Sequence, residues 1–390
     1  MNTTRRLLAG LCILAVAPCC IGQPASPALA PQAAAAEPVS PAQRVQTERL
    51  VATIKSLPTK RAARGDADHQ AGLRETERII ADQLRALGYE PRLEEVAAIG
   101  LGREKTEPFH NIIVDIKGTG TPRDVAAAPG DPPVAPGGRP DQHPPSTPHE
   151  RRAPSSQPGL LIVGAHIDAV PRAPGADDDG TGVAALMEMA RIFKDYPMKH
   201  DVRLCFFNLE ECGLVGSTIH AQRVRDDIVT PNKQPVIGMI AMDMLGFYSD
   251  APESQKSPIP PIGDWSPPDV ADFIAMATVL RHRTFSQALT KAMKEASPGL
   301  KVVTVDFLPV ALPDLLRSDH APFLAIGVPA VIVSDTAEFR SKHYHKPSDT
   351  LDTLDLPRFT ATVRGLVGAV HHLAEPAGPD RPASEPASAR

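Results

Sequence analysis

Two histidines and three acids in this 390-residue sequence, His166, Asp178, Glu211, Asp243 and His345, are of the types that hold divalent cations. They sit in short polar runs: His166-Ile-Asp168, the acidic Asp177-Asp178-Asp179 between Gly175 and Gly180, Glu210-Glu211, Asp243-Met-Leu-Gly246, and His345-Lys-Pro-Ser-Asp-Thr350. Two imidazoles and three carboxylates can bind two cations, provided one carboxylate bridges. With two zinc ions and one hydroxide the charges cancel, and a neutral cluster tolerates partial burial. Zinc lowers the pKa of bound water from ~15.7 to about 7, so a hydroxide nucleophile is available near neutral pH. The ligand types point to zinc, with cobalt or manganese able to substitute chemically. Taken singly, each run has a plainer reading. His-x-Asp is commonly a surface or capping pair, adjacent glutamates a solvated turn, and acids before a helix an N-cap. Asp243 reads equally as a turn residue and His345 as a loop histidine. Their joint occurrence, each at the end of an expected strand, is what argues for a centre.

The positioning elements follow from the apolar pattern. Leu73, Ile80, Leu84 and Leu87 share one face of a helix that Gly88 stops. Strands are expected at 91–96, 112–116, 160–165, 202–207, 236–242 and 329–333, and helices at 181–193, near 217–225 and at 284–295. Continuous apolar strands separated by helices imply a sheet buried on both faces. The expected fold class is therefore α/β, a three-layer helix–sheet–helix arrangement with a central mixed, mostly parallel sheet. Functional groups in such folds collect at the carboxyl ends of the strands, where the five residues lie.

Domain organisation reads from composition. Residues 119–158 hold 11 prolines and no apolar period, which predicts a disordered excursion between two neighbouring strands at 112–116 and 160–165. A second proline-rich stretch near 252–268 either borders a site or forms a surface loop. Residues 37–375 are expected to form one domain, with a disordered tail at 376–390. Hydrophobic residues make up 42%, enough for a core, and the net charge of -5 without a basic block argues against nucleic acid as a partner.

The N-terminus reads as an export signal within residues 1–36. Arg5 and Arg6 precede the apolar run Leu7 to Val16, which is too short to span a bilayer. Cleavage after Ala36 or Ala30 fits a periplasmic or secreted protein, and a lipid anchor through Cys19 or Cys20 is the weaker alternative, because Pro18 suits a lipobox poorly. Beyond the signal only Cys205 and Cys212 remain, either as one disulfide or as two free thiols. Oligomeric state is not legible.

Five motifs in order resemble the co-catalytic di-zinc aminopeptidases of the bacterial leucyl aminopeptidase type. They are Gly164-Ala-His-Ile-Asp168, Pro174 through Gly182, Asn208-Leu-Glu-Glu-Cys-Gly-Leu-Val-Gly-Ser217, Met242-Asp-Met-Leu-Gly246 and His345 through Thr350, and the likeness spans roughly Leu73 to Leu373. The resemblance implies that Asp178 bridges the two zinc ions. It gives His166 and Asp243 to one and Glu211 and His345 to the other. Asp168 would hydrogen-bond His166 and fix its tautomer, and Glu210 would be the general base acting on metal-bound water. A cis peptide between Asp178 and Asp179 is also implied. The substrate would be a peptide or protein, hydrolysed at its N-terminal bond.

This chain departs from the pattern at Asp179, Met242 and His220, the last at a position often filled by Tyr in the pocket wall. Ser318-Asp319-His320 resembles a further motif, read either as near the pocket or as a helix N-cap at Ser318 or Asp319. Tyr344, beside a ligand, reads either as a group that approaches the tetrahedral intermediate or, by preference, as a packing residue. Three rival functions share these motifs: a carboxypeptidase or dipeptidase on the same core, a glutaminyl cyclase-like acyltransferase, and a non-catalytic binding module. The intact ligand set and the uninterrupted run from Glu210 to Ser217 favour hydrolysis.

Overall fold

Eight strands make one sheet in the computed structural model, which describes residues 39–96, 108–119, 158–229, 234–308 and 312–375. The export signal, the proline-rich insertion apart from its first and last residues, and the tail lie outside the described residues. The strands are β1 (Arg92–Val96), β2 (Phe109–Ile116), β3 (Leu160–His166), β4 (Asp201–Phe207), β5 (Val236–Met242), β6 (Ile274–Ala277), β7 (Val302–Val305) and β8 (Ala330–Ser334). Their order is β1-β2-β4-β3-β5-β8-β6-β7. The four central strands β4, β3, β5 and β8 run parallel, as do β6 and β7, while β1–β2, β2–β4 and β8–β6 are antiparallel. The sheet is thus mixed and mostly parallel, as expected.

Alternation along β3 shows how the two faces are filled. Leu161, Val163 and Ala165 point into the larger core, and Leu160 and Ile162 into a second cluster on the opposite face. The larger core takes α1 (Thr47–Ser56), α2 (Ala67–Ala86), α3 (Gly180–Phe193), α5 (Arg283–Ala296) and α7 (Leu356–Leu373). The second cluster takes α4 (Val215–Val229) through Ala221 and Val224, and the short α6 (Ala321–Ala325) through Phe323 and Leu324. Three of the helices, α2, α3 and α7, start where a short acid satisfies an unpaired N–H. Asp66 accepts from His69 N at α2, Asp179 from Gly182 N at α3, and Asp355 from Arg358 N at α7. Such a cap contributes about 1 kcal/mol.

Several expectations need correction. The strands flanking the insertion, β2 and β3, are not neighbours, because β4 lies between them and pairs with both. The chain from β3 passes through α3 to β4 on one side, then through α4 to β5 on the other, so β3 is where the strand order reverses. Such a switch point opens a crevice beyond the strand ends. The elements α1, β6, β7 and α7 escaped the sequence reading. Cys205 and Cys212 are free, the first buried in β4 and the second half-buried. Among the described residues no helix is long and apolar enough to cross a membrane.

The edge strand β1 is tied to α4 through a buried carboxylate. Glu94 accepts from Asn111 Nδ2 at 2.8 Å and lies 3.0 Å from His220 Nδ1, with Arg92 and Arg223 reaching it from the surface. His220 is therefore a packing residue bonded to Glu94, behind the sheet end, and takes no part in a pocket wall. Burial opposes the charge on Glu94, but the His220, Asn111 and Arg223 contacts win and hold its pKa down to about 2. Burial keeps His220 neutral by pushing its pKa below the ordinary value.

Both shifts carry the same sign for stability. A folded-state pKa below the unfolded one contributes stability that is complete above the unfolded value and is lost as pH falls toward the folded value. Urea unfolding followed by far-UV circular dichroism should show the midpoint falling from about pH 6.5, where His220 begins to protonate in the unfolded chain, down through about pH 4.5 and below for Glu94. At pH 7 the Glu94→Ala variant, which strands the His220 and Asn111 donors in the interior, should lose about 1–3 kcal/mol for each donor left unpaired. An unchanged midpoint in that variant would contradict the network's role.

Candidate metal centre

The crevice beyond β4, β3, β5 and β8 gathers the residues that the sequence scattered over 180 positions. His166 is the last residue of β3, Glu210 and Glu211 follow β4, Asp243 follows β5, and His345 lies on the loop after β8. Two triads result. His166, Asp178 and Asp243 offer ligand atoms within 4.8 Å of one another, and so do Asp178, Glu211 and His345. Asp178 belongs to both. Its Oδ1 is 3.1 Å from His166 Nε2 and its Oδ2 is 3.1 Å from His345 Nε2, while His345 Nε2 also lies 3.1 Å from Glu211 Oε1. Despite that distance, Glu211 Oε1 is buried and accepts no hydrogen bond. The imidazole and the carboxylate face a common point as fellow donors rather than each other, the arrangement a shared cation requires.

The electrostatics agree. Burial alone would lower the pKa of His166, but the carboxylates of Glu210, Asp168, Asp178 and Asp243 raise it well above its ordinary value. Burial likewise opposes charge on His345, yet Asp178 and Glu211 lift it to about 10. On Asp178 burial is outweighed by the two imidazoles, which hold it well below the carboxylate range. Burial and the Asp178 charge raise Glu211 to about 7, and burial with Asp243, Asp319 and Glu211 raises Glu210 far above its ordinary value. The protein's own cations do not neutralise this pocket, and a bound dication would. Residue types, separations and the orphaned Glu211 oxygen therefore fit a metal centre.

The backbone around the ligands is held in costly conformations. Leu209, Met244 and His345 have φ of 60°, 58° and 56°, each of the order of 1–3 kcal/mol above the ordinary wells. The Asp178–Asp179 peptide is cis, as the resemblance implied. Asp349 accepts from Asp177 N at 2.9 Å and Asp178 N at 3.2 Å. Asp179 accepts from His166 N, Gly182 N and Met244 N, tying three ligand-bearing segments together. Beneath them Arg61, 2% exposed, donates from Nε to Ile167 O at 3.0 Å and from Nη1 to Pro58 O at 3.2 Å, and its other contacts are Pro174 O and Gly175 O.

The remaining candidates fall as follows. Asp168 needs correction: its carboxylate is 3.7 Å from His166 Nδ1, and the shorter contact, 3.0 Å, is to Asp168's own carbonyl. The carboxylate instead accepts from Glu210 N at 3.0 Å and Glu211 N at 3.2 Å, because β4's turn places those two N–H groups over it. Met242 faces the core rather than the crevice. Neither Ser318 nor Asp319 caps a helix; α6 starts after His320 without a side-chain cap, Ser318 lines the crevice and Asp319 is buried beside it. Tyr344 stacks on His345 at 3.8 Å between centroids, and its hydroxyl accepts from Arg317 Nη2 at 3.1 Å. The loop at 252–268 does border the site, as part of the wall of a cavity of about 560 Å³ that opens onto the ligands. Arg61 and Asp349 were missed by sequence reasoning. Asp349 stands inside the last motif, a signal that could have been read, whereas a lone Arg61 gives none.

Comparison with known proteins follows the same lines. Residues 149–370, more than half of the chain, match peptidase family M28. The uncharacterized protein YfbL of Escherichia coli K12 is 33% identical over 226 residues, covering 55% of this chain and 67% of its own. The probable aminopeptidase YDR415C of Saccharomyces cerevisiae is 27% identical over 232 residues, 55% of this chain and 53% of its own, so the chain spans about half of that relative. Among solved structures, the aminopeptidase from Aneurinibacillus sp. strain AM-1 has a TM-score of 0.56 at 16% identity, covering 87% of this chain and 96% of that one. The glutaminyl cyclase of Fimbriiglobus ruber has the same TM-score at 17% identity, covering 84% and 95%. Equal likeness to both establishes the fold and leaves the choice of reaction to the site.

Arg61 supplies a test of the site's support. A lysine has its charge and three donors on one nitrogen and cannot span four carbonyls. Arg61→Lys should lower zinc affinity about 10–100-fold, as loss of an outer support does, measured by competition with a chromogenic chelator. Affinity equal to the native protein's would refute that support.

Proposed function

The chain is a member of peptidase family M28 and so a zinc metallopeptidase, and from that premise we propose that it acts as an aminopeptidase with two zinc ions. The observation that carries the two-ion reading is the Asp178 carboxylate, with one oxygen toward His166 and the other toward His345. His166 and Asp243 complete one site, and Glu211 and His345 the other. Bound zinc supplies Lewis acidity, polarising a carbonyl and making water acidic enough to attack near neutral pH.

Glu210 is the catalytic acid–base in this reading. It lines the cavity beside the ligands but belongs to neither triad, so its carboxylate is free to move a proton. Its main chain is fixed by Asp168, which makes Asp168 a positioning residue for Glu210 and Glu211 together. A carboxyl raised by its surroundings can take a proton from the nucleophilic water and pass it to the leaving amine. Relatives named as aminopeptidases, with Asp243 and the unbroken Glu210 to Ser217 run, support hydrolysis over acyl transfer. The reading also includes an exported protein, supported by Arg5-Arg6 and the apolar run after them; N-terminal sequencing of the mature protein should find residues 1–36 removed.

Metal analysis of purified variants tests the ligand assignment. Asp178→Ala should lose both zinc ions and Asp243→Ala one, while a native stoichiometry of one ion would end the two-ion proposal. Glu210→Gln should keep its zinc and lose about 10²–10⁴ in kcat. For the substrate's end, leucine p-nitroanilide should be cleaved and an N-blocked leucyl peptide spared. Cleavage of the blocked peptide alone would favour the carboxypeptidase reading, and conversion of an N-terminal glutaminyl peptide to its cyclic form would favour the cyclase.

A further inference from the structure

The cavity beyond the ligands has a floor and a roof of different origin. Its floor is one face of β8, β6 and β7, where register sets Ser334, Ala275 and Val303 in one row and Ile332, Ala277 and Val305 in the next. The opposite face of these strands belongs to the main core through Ile274, Val302, Val331 and Val333. On the cavity face the short 3-10 turn Pro313–Leu316 packs through Leu315, and none of the long helices α1–α5 and α7 lines the cavity there. The roof is the proline-rich segment around Ile259 and Trp265, which forms with Ala277 and Val305 an apolar cluster separate from both cores. Alanine at 275 and 277, between larger neighbours, gives the chamber its depth.

That roof is clamped at one place. Gln255 and Arg340 are each 8% exposed, and Arg340 Nε donates to Gln255 Oε1 at 2.8 Å. Arg340 Nη1 donates to Phe273 O at 2.7 Å, and the guanidinium lies 4.5 Å from the Phe273 ring. Gln255 Nε2 donates to Thr336 Oγ1 at 2.9 Å. Main-chain bonds from Lys256 N to Phe339 O at 2.7 Å and from Gln255 N to Asp269 O at 2.9 Å close the neck of the loop. Pro258, Pro267 and Pro268 line the chamber and restrict the roof's backbone.

We propose that Gln255 and Arg340 are positioning residues that clamp the 255–268 segment as the roof of this chamber, and so set the enzyme's discrimination by size among apolar substrate side chains. The proposal rests on the aminopeptidase reading for the identity of that side chain, the one beside the bond cut. A closed roof removes the whole side chain from water, and an open one returns it, so the clamp matters in proportion to the apolar area seated. It bears little on a methyl group and heavily on a benzyl group.

The test uses the full-length, zinc-loaded protein and the p-nitroanilides of alanine, leucine and phenylalanine. In Gln255→Ala the ratio of kcat/KM for phenylalanyl over alanyl substrate should fall about tenfold or more, mainly through KM, the scale of discrimination in an apolar pocket. Gln255→Glu keeps an acceptor for Arg340 and should retain most of the ratio. Ala277→Phe fills the floor without touching the clamp and should lower the ratio as well. An equal fall for all three substrates in Gln255→Ala, or an unchanged ratio, would overturn the clamp.

Occupancy has its own readout, because Trp265 is the single tryptophan of the chain. Titration with 3-phenylpropanol, which has no amine, should give a saturable blue shift of Trp265 emission that ethanol does not give and that Gln255→Ala weakens. A response without cleavage of any anilide would sink the aminopeptidase reading and leave the chamber standing. No response in a protein that cleaves the alanyl anilide would sink the chamber.

Discussion

Carboxylates crowded into a buried space repel one another, and this site is built around that repulsion. Asp168, Asp178, Asp179, Glu210, Glu211, Asp243 and Asp349 converge, with His166, His345 and the buried Arg61 to oppose them. The fold does not neutralise the excess; it distributes tasks. Asp349 and Asp179 spend their oxygens on main-chain N–H groups, which holds the Asp178 segment and the His166 strand end in place. Asp168 does the same for the Glu210-Glu211 turn. What remains uncompensated is the ligand set itself, where a dication belongs.

Parallel strands make that division achievable. Four neighbouring strands with the same direction deliver four loops to one end, and the order reversal at β3 leaves the crevice open above His166. Arg61 then ties the loop after β3 to the turn before the bridging acid through Ile167, Pro174 and Gly175. The left-handed backbone at Leu209, Met244 and His345 is the cost of turning each strand end into the crevice.

The central strands were legible as long apolar runs, with His166, Glu211 and Asp243 as polar groups at or just past their ends. Asp178, in contrast, stands in an acidic turn before α3 and His345 on a loop well beyond β8, and Asp243 and His345 rested mainly on the resemblance. β6 and β7 were not legible, being four residues each, too short for a period to register. Strand neighbours were misread because sequence proximity stood in for pairing, and β4, arriving later in the chain, inserts between β2 and β3. Asp168 took its role toward His166 from the resemblance, whereas its carboxylate accepts from the N–H groups of residues 210 and 211, which no motif spacing reveals. Arg61 precedes every motif, and only the three-dimensional convergence of carbonyls on its guanidinium gives it meaning.

Chemistry and selection are physically separate in this architecture. The candidate ligands sit at the end of β3, in the turns after β3, β4 and β5 and on the loop after β8, held by polar contacts that tolerate little change. The chamber sits over β6, β7 and β8 and is roofed by a loop whose apolar contacts form their own cluster. Non-directional apolar packing tolerates substitution far better than a hydrogen-bonded network of charges does. Residues such as Ala277 and Ile259 can therefore change size without disturbing Asp178 or Glu210. The 335–345 segment serves both halves, contributing Thr336 and Arg340 to the clamp and His345 to the metal centre. A seated side chain can therefore influence catalysis along that segment as well as directly, where the cavity opens onto the ligands.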